Sequence, residues 1–369
     1  MKKITKSNRR NFLKTGALAP LLTSLSFDLF SQSNSRPIVE SAKPLNQKNE
    51  PRPEIPFAVI GLNHGHIYSQ TDILLQQNGK LKFFWATEPE LIKSFQEKYP
   101  QAKLARSKAE ILENQEIKII ASAAVPNERA QLGIEVMQHG KDFFSDKPGI
   151  TSLDQLKQVR RVQKETGKIY SILYGERLEN RATIKASELV KAGAIGKVIQ
   201  TIGLGPHRMN IPSRPAWFFD KKYYGGIICD IGSHQCDQFL HFTDSAEAET
   251  MHAQTGNTNF KMYPEFEDFG DLVCKSKSGT GYIRIDWFTP DGLNTWGDGR
   301  LTILGTEGFI EIRKNTDLAG RSGGSHLFLV DGKSTRYIDC VNQDLPFGRQ
   351  LAEDIIKDRK STRLNSSHT

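Results

Sequence analysis

The fold is decided by residues 57–66, which read FAVIGLNHGH. A short apolar run ends at Gly61, a polar turn follows, and a helix-like stretch continues from Ile67 to Gln77. An apolar strand that enters a helix through a glycine turn is the opening unit of a nucleotide-binding α/β fold. The segment therefore predicts the first strand and the first helix of a doubly wound parallel sheet.

Strands and helices alternate through the first half of the chain. The pattern predicts further strands at 81–85, 117–124, 141–144 and 169–173, with helices at 89–99, 127–139 and 153–166. Helices of about 10–15 residues between apolar strands indicate parallel crossovers. The ligand site of such a sheet lies at the carboxyl ends of its strands.

The turn after the first strand departs from the usual G-x-G-x-x-G pattern. Gly61 is kept, but Asn63 and His66 stand where the other glycines are expected. A helix N-terminus favours a pyrophosphate even without three glycines, because its free N–H groups and its dipole attract anions. We therefore predict dinucleotide contacts from Gly61, Leu62, Asn63 and His64.

The acid that binds the cofactor ribose should follow the second strand. Glu88 lies there, although Ala86 occupies the position where an aspartate is first expected. Lack of a carboxylate at that position relaxes the choice of cofactor, so NAD or NADP is predicted. The alternative is that Glu88 only stabilises the N-terminus of the helix that begins at Pro89.

Two segments contain the residues of a proton-transfer site. The sequence SDKP at 145–148 follows a predicted strand, so Lys147 is expected in the cleft where a nicotinamide would lie. Asp230 and His234 are four residues apart, so a helix puts both on one face, where the carboxylate can orient the imidazole. The alternatives are an ordinary loop lysine and a helix-stabilising pair without chemistry.

The chain resembles the glucose-fructose oxidoreductase / inositol dehydrogenase / rhizopine-catabolism (Gfo/Idh/MocA) superfamily over residues 55–357. The resemblance rests on the GLNHGH turn, on DKP at 146–148, and on a Gly-Gly pair followed by Asp230 and His234. The family usually has Glu-Lys-Pro at the second of these places, so Asp146 is a shorter acid than usual. The fold implied is a nucleotide domain followed by an open, largely antiparallel sheet.

The resemblance also implies roles for individual residues. In the oxidation direction, His234 would take the hydroxyl proton while the hydride leaves for the nicotinamide. Asp230 would orient His234 and favour its protonated form, and Lys147 would stabilise the developing alkoxide. Asn127 and Pro148 join Lys147 as expected cofactor contacts. The implied reaction is NAD(P)-dependent oxidation of a sugar, cyclitol or related polyol.

Two other functions stay open. One is a redox-neutral glycosidase or epimerase with tightly held NAD, in which oxidation at one carbon assists elimination or inversion nearby. The other is a non-catalytic sugar- or nucleotide-sensing protein. A bound cofactor that never exchanges would favour the first, whereas a complete Lys/Asp/His group argues against the second.

The second half of the chain predicts strands at 198–204, 247–255, 269–275, 281–287, 300–304 and 308–313. One face of their sheet would close the substrate pocket, and the resemblance implies a homo-oligomer through the other. A sugar site combines aromatic platforms with charged groups that bind hydroxyls. The candidates for substrate contact are Tyr174, Arg177, His207, Arg208 and Trp217.

Charge and hydropathy exclude several classes of function. Of the net charge of +8, residues 1–56 contribute +6 and residues 357–369 contribute +3, which leaves −1 for residues 57–356. A nearly neutral body does not bind nucleic acid by neutralising phosphates. No run of about 18 apolar residues is present to span a membrane. His64 and His66 lack an evident third ligand, so no metal is expected.

The two ends differ from the body. The N-terminus carries paired arginines before Phe12-Leu13-Lys14 and a mildly apolar stretch, which resembles a twin-arginine export signal and predicts a periplasmic or exported protein. A disordered basic tail is the alternative. The predicted divisions are a signal at 1–30, a linker at 31–55, a nucleotide domain at 56–176, a substrate and oligomerisation domain at 177–345, a truncated returning helix at 346–359 and a non-native tail at 360–369.

Overall fold

The structure, a computed structural model, describes residues 37–42 and 52–357. The predicted export signal at 1–30 and the predicted tail at 360–369 lie outside these residues. Among the helices that the structure describes, none combines the length and the apolarity needed to cross a membrane.

Part of the predicted linker at 31–55 is a strand. Residues Ile38–Ser41 form β1, whose backbone pairs in parallel with Thr335–Asp339. The β-branched Ile38 and Val39 favour extended backbone, and the partner strand would otherwise be an open sheet edge. The composition that suggested a linker therefore includes an edge strand whose side chains stay exposed.

The nucleotide domain contains a six-stranded sheet in which every pair of neighbours is parallel. Its strands are β2 (Ile55–Ile60), β3 (Gly79–Trp85), β4 (Lys103–Leu104), β5 (Ile119–Ser122), β6 (Asp142–Asp146) and β7 (Tyr170–Leu173). Its helices are α1 (His66–Leu75), α2 (Pro89–Lys98), α3 (Lys108–Leu112), α4 (Pro126–Gln138) and α5 (Leu153–Thr166). This arrangement confirms the predicted doubly wound fold.

The strand order β4-β3-β2-β5-β6-β7 places the switch point of the winding between β2 and β5. The loops after these two strands diverge and open a crevice at the carboxyl edge of the sheet. Gly61 follows β2 with a φ of +83°, and a Cβ added there would lie 2.6 Å from the Cβ of Ala124. The one glycine kept in the first turn is therefore required by the close approach of the two loops.

The second domain is built on a nine-stranded sheet. Its further strands are β8 (Val198–Pro206), β9 (Glu249–Gly256), β10 (Phe269–Lys275), β11 (Thr280–Asp286), β12 (Arg300–Gly305), β13 (Gly308–Arg313), β14 (His326–Asp331) and β15 (Thr335–Asp339). The order is β1-β15-β14-β13-β12-β8-β11-β10-β9, and only the β1–β15 and β8–β11 pairs are parallel. The predicted open, largely antiparallel sheet is confirmed. The prediction omits β14 and β15, which extend the sheet from β13 to β1.

Helices cover one face of this sheet. The bounds of these helices are α6 (Gly175–Leu178), α7 (Arg181–Lys191), α8 (Lys221–Tyr224), α9 (Ile227–Asp230) and α10 (Gly232–Phe242). α7 packs on β13 and β14, and α10 packs on β8 and β11. On the opposite face Ile202, Leu304 and Phe309 are exposed, and the last two are direct cross-strand partners. An apolar patch therefore remains on the face that the helices do not cover.

Helix α11 (Phe347–Ile356) packs on the nucleotide domain and lies within the range predicted for a returning helix. Phe347 and Leu351 are buried in the apolar cluster that also contains the β2 and β5 side chains. The ring centroid of Phe347 lies 5.6 Å from that of Phe144 on β6. The helix therefore extends the core of the first domain after the chain has completed the second.

Replacing Leu351 by alanine is expected to lower the free energy of unfolding by about 2–5 kcal/mol, because a fully buried leucine leaves a cavity. Leu351 is 0% exposed, whereas Ile356 on the same helix is 37% exposed. Ile356→Ala is the matched control and should cost less than about 1 kcal/mol. Denaturant unfolding of both variants measures the difference, and equal losses would show that the packing of α11 contributes nothing specific.

Candidate active site

A cleft of about 440 Å³ lies at the carboxyl edge of the parallel sheet, between the two domains. The nucleotide domain contributes His64 from the turn after β2, His66 from the first position of α1 and Lys147 from the loop after β6. The second domain contributes Asp230 at the end of α9 and His234 on α10. The structure therefore brings the three predicted catalytic residues, Lys147, Asp230 and His234, into one cleft.

Two of the predicted cofactor residues, Asn63 of the β2 turn and Glu88, are joined by a hydrogen bond. Leu62 is 5% exposed, and Asn63 Nδ2 donates to Glu88 Oε1 at 2.6 Å. Burial alone would raise the pKa of Glu88, but the hydrogen bonds from Asn63 and the backbone outweigh it and lower that pKa. The Glu88 side chain does not cap α2, which leaves its carboxylate directed at the first turn.

The other two expected cofactor contacts lie beside the cleft. Asn127, on the first turn of α4, has a buried Oδ1 with no hydrogen-bond partner among the described residues. Pro148 follows a cis peptide bond, and its carbonyl oxygen accepts a hydrogen bond from Arg129. The role of each in cofactor binding stays a prediction, and the free Asn127 oxygen is a buried acceptor available to a ligand.

Asp146 is the centre of a buried cluster that the sequence interpretation did not include. Its carboxylate lies 2.9 Å from the Nδ1 atoms of both His64 and His66, and 3.1 Å from Nη2 of Arg129. Burial opposes ionisation of Asp146, but the Arg129 guanidinium and the histidines hold its pKa well below the usual range. The cluster ties the first turn to the start of the loop after β6. The first turn is the place where three flexible glycines would otherwise be expected.

His64, His66 and Asp146 also bring three donor atoms to within 4.8 Å of one another. The sequence provided no third partner for the H-x-H pair, and the structure provides Asp146. The carboxylate already faces the Arg129 guanidinium and accepts the hydrogen bond of His66. The three side chains thus contact one another and Arg129, and the expectation that no metal binds here stays a prediction.

Lys147 and Asp230 form a buried ion pair across the cleft. Lys147 Nζ donates to Asp230 Oδ1 at 2.7 Å, and the side chains are 6% and 10% exposed. Burial would raise the pKa of Asp230, but the Lys147 ammonium lowers it. Asp230 therefore positions Lys147. This corrects the expectation that Asp230 orients His234.

His234 lies in the cleft as a neutral imidazole. It is 4% exposed, and its Nδ1 has no hydrogen-bond partner among the described residues. Burial lowers its pKa to about 3, with Lys147 and His207 adding to the effect and Glu176 opposing it. Asp230 makes no hydrogen bond to His234 among the described residues, so the expectation that it favours the protonated form is wrong, and His234 is unprotonated at neutral pH.

Glu176 and Lys314 are cleft residues that the sequence interpretation missed. Lys314 Nζ donates to Glu176 Oε2, and Gln235 Nε2 donates to the same oxygen at 2.6 Å. Both charged side chains are almost fully buried. The two residues are 138 positions apart, so no local pattern reveals the pair. The one signal in the sequence is the position of Lys314, a charged residue directly after the strand β13.

The predicted substrate residues divide into two groups. His207 and Trp217 line the cleft, and His207 packs edge-on against Trp296 with ring centroids 4.4 Å apart. Tyr174 is buried behind the cleft, with its ring centroid 6.1 Å from that of His234. The structure thus gives aromatic walls to the second-domain side of the cleft.

Arg177 and Arg208 do not line the cleft. Arg177 forms a bidentate ion pair with Asp237 of α10. Its Nε and Nη2 atoms donate to the two carboxylate oxygens, and Nη2 lies 2.7 Å from Oδ1. Arg208 pairs with Asp291 at 2.5 Å and donates to the backbone oxygens of Leu293 and Thr295. Both guanidiniums are used to hold the protein together, which corrects their expected contact with substrate.

Comparison with known proteins matches both domains. Residues 55–174 match an oxidoreductase family with an NAD-binding Rossmann fold, and residues 183–311 match the GFO/IDH/MocA C-terminal domain. The crystal structure of an inferred oxidoreductase from Erwinia carotovora atroseptica SCRI1043 is 41% identical with a TM-score of 0.82, and covers 85% of this chain and 94% of that chain.

Some proteins that are less similar to this chain carry a substrate in their names. The scyllo-inositol 2-dehydrogenase (NAD(+)) of Bacillus subtilis (strain 168) is 27% identical over 209 residues, which are 55% of this chain and 57% of that enzyme. The chain spans about half the length of the curated relatives it matches first. Levoglucosan dehydrogenase, solved with NADH and levoglucosan, shares the fold at 14% identity and a TM-score of 0.71, over 86% of this chain and 94% of that one.

Replacing Asp146 by asparagine is expected to lower the free energy of unfolding by about 3–5 kcal/mol, because it leaves the buried Arg129 guanidinium without a counter-ion. Asp154 provides the control, since its ion pair with Lys157 is highly exposed, and Asp154→Asn should cost less than about 1 kcal/mol. Chemical denaturation of the two variants compares them. Equal stability of D146N and the parent would rule out a structural role for the cluster.

Proposed function

Because the chain belongs to the Gfo/Idh/MocA oxidoreductase family, we propose that it is an NAD(P)-dependent dehydrogenase of a sugar, cyclitol or related polyol. The observation that carries the proposal is the meeting of Lys147, Asp230 and the neutral His234 in one cleft beside the nucleotide fold. Hydride transfer from a hydroxyl-bearing carbon needs a proton acceptor and stabilisation of the developing alkoxide, and a neutral imidazole and a positioned ammonium can fill these two roles.

The residues of the first domain fit a dinucleotide. Gly61 lets the turn after β2 approach the next loop closely, and α1 has no acidic residue in its first turn to repel a pyrophosphate. Glu88 is held ionised by Asn63, which suits the hydroxyls of a ribose. When bound, the nicotinamide would supply the site that accepts or gives the hydride.

His234 is the proposed acceptor of the substrate's hydroxyl proton. His234, whose pKa burial lowers to about 3, is unprotonated at neutral pH and can take the proton of a substrate hydroxyl. Lys147 gives one N–H to Asp230 and keeps others for the oxygen that becomes negative as the proton leaves. Asp230 is thus a positioning residue, since it acts through the Lys147 ammonium.

The walls of the cleft support a carbohydrate as the substrate. Trp217, Trp287, Trp296 and His207 all face it, and flat aromatic faces suit the C–H surfaces of a sugar ring. Polar groups between them can bind hydroxyls. The relatives named for scyllo-inositol and levoglucosan act on ligands of the same class.

Replacing His234 by alanine should lower turnover by about 10²–10⁴-fold, because the proton acceptor is lost. Lys147→Ala should cost at least about 10²-fold through the missing ammonium. His139→Ala is the control, since His139 is an exposed residue at the end of α4, and it should keep the parental rate. Nicotinamide absorbance with a panel of sugars and cyclitols measures all three, and near-parental turnover of either cleft variant would reject its assigned role.

We also propose that the open face of the second sheet joins two or more copies of the chain. Its exposed Ile202, Leu304 and Phe309 form an apolar patch on a face without helices. Phe309→Glu should reduce the mass measured by light scattering to that of a smaller species. Leu153→Glu changes a side chain that is 74% exposed on the nucleotide domain and should leave the mass unchanged. A parental protein that is already monomeric would refute the proposal.

A further inference from the structure

Four cationic side chains line the cleft, and three of them are already paired. Arg129 is paired with Asp146, Lys147 with Asp230, and Lys314 with Glu176. The fourth, Arg214, forms no ion pair with any carboxylate in the described part of the chain. We propose that Arg214 binds a carboxylate of the substrate, so that the enzyme acts on a sugar acid or another polyhydroxy acid.

The inference rests on the proposed function and names its substrate class. Arg214 lies between two short 3₁₀ turns, Ile211–Ser213 and Ala216–Phe219, in the segment that follows β8. Its Nε donates to the Met209 oxygen at 2.9 Å and its Nη2 to the Arg208 oxygen at 3.2 Å. These bonds fix the plane of the guanidinium, and Nη1 has no acceptor among the described residues.

Arg214 is half-buried, and its surroundings remove part of the water that would otherwise solvate its charge. The guanidinium carbon lies 4.6 Å from the ring centroid of Phe218 and 4.9 Å from that of Trp287. Burial lowers the pKa of Arg214, and Asp230 opposes this shift from beyond ion-pair distance. Cation–π contacts offset part of the lost hydration, but an anion brought by a ligand would offset more.

Glu179 is a carboxylate of the cleft that also has no cationic partner among the described residues, but it does not lie beside Arg214. Glu179 accepts a hydrogen bond from Ser69 of α1, which ties it to the nucleotide domain. Arg214 instead packs among rings of the second domain, where Trp217 and Trp287 also line the cleft. A ligand that places its hydrocarbon surface on these rings would present its charged end to Arg214.

The charge that Arg214 accommodates is a single negative one. A phosphate dianion is commonly held by several cations or by a helix N-terminus. The other cleft cations are committed to carboxylates, and no helix of eight or more residues begins within the segment 207–220. A carboxylate with a single negative charge matches one fixed guanidinium whose Nη1 group has no acceptor among the described residues.

The test compares acids with their neutral counterparts. We would measure kcat/KM for glucuronate, galacturonate and gluconate against glucose, galactose and glucitol, in the parent and in Arg214→Gln. We expect the parent to prefer at least one acid, and R214Q to lose about 30- to 100-fold on that acid. The loss on the neutral counterpart should stay within about 3-fold. Arg214→Lys should recover part of the loss, because it restores the charge without the fork.

Two controls separate the inference from other outcomes. Arg106→Gln makes the same substitution at an exposed arginine of the nucleotide domain and should not change the acid-to-neutral ratio. Melting temperatures with and without each acid provide a readout without turnover, and stabilisation by the acid should vanish in R214Q. If the parent oxidises nothing but still shows this Arg214-dependent stabilisation, the dehydrogenase proposal fails and the carboxylate site stands.

Other results would overturn the inference itself. A preference for neutral sugars in the parent would do so, as would equal losses on acid and neutral substrates in R214Q. A sugar phosphate that outperforms every carboxylate and depends on Arg214 would replace the carboxylate with a phosphate. In the first two cases a working dehydrogenase would remain, so the proposed function would survive the failure.

Discussion

The buried ion pair of Lys147 and Asp230 determines the geometry of the cleft, because it joins the loop after β6 to the end of α9. Two charges removed from water each lose several kcal/mol of hydration. Their 2.7 Å hydrogen bond recovers this only while both domains keep their places. Lys147 is also held from behind, since the Arg129 guanidinium donates to the backbone oxygens of Lys147 and Pro148. Arg129 in turn depends on Asp146 for its counter-charge, so the first turn, the lysine loop and the second domain are one connected structure.

This pairing explains why the histidine in the cleft is neutral. With Asp230 committed to Lys147, the remaining nearby carboxylate is Glu176, and Lys314 neutralises much of its effect. Burial then dominates and lowers the pKa of His234 to about 3. The ionic contacts therefore separate two tasks: one residue positions charge, and another stays free to accept a proton.

The sequence predicted the fold well because the information is local. The alternation of strands and helices follows from the apolar pattern, so most elements from β2 to β7 were predictable within a few residues at each end. The exceptions are the two-residue strand β4 and the five-residue helix α3, which are too short to show a period. The β1 strand was not, because Ile38–Ser41 is a short, exposed segment that pairs only with the distant strand β15 among the described residues. Strands stabilised by a distant partner have no periodicity of their own to reveal them.

The site was predictable only where chemistry is carried by a short motif. Lys147, Asp230 and His234 could be identified by spacing and resemblance, and all three lie in the cleft. Which carboxylate binds which cation could not be identified, because each pair joins residues tens of positions apart and burial decides its energy. Arg177 is a residue type that often binds sugars, but it is paired with Asp237. Arg214 belongs to no motif in the sequence, and in the described part of the chain no carboxylate forms an ion pair with it. In a cleft where the other cations are paired with carboxylates, the proposed specificity lies with the unpaired cation, and only the completed fold shows which cation that is.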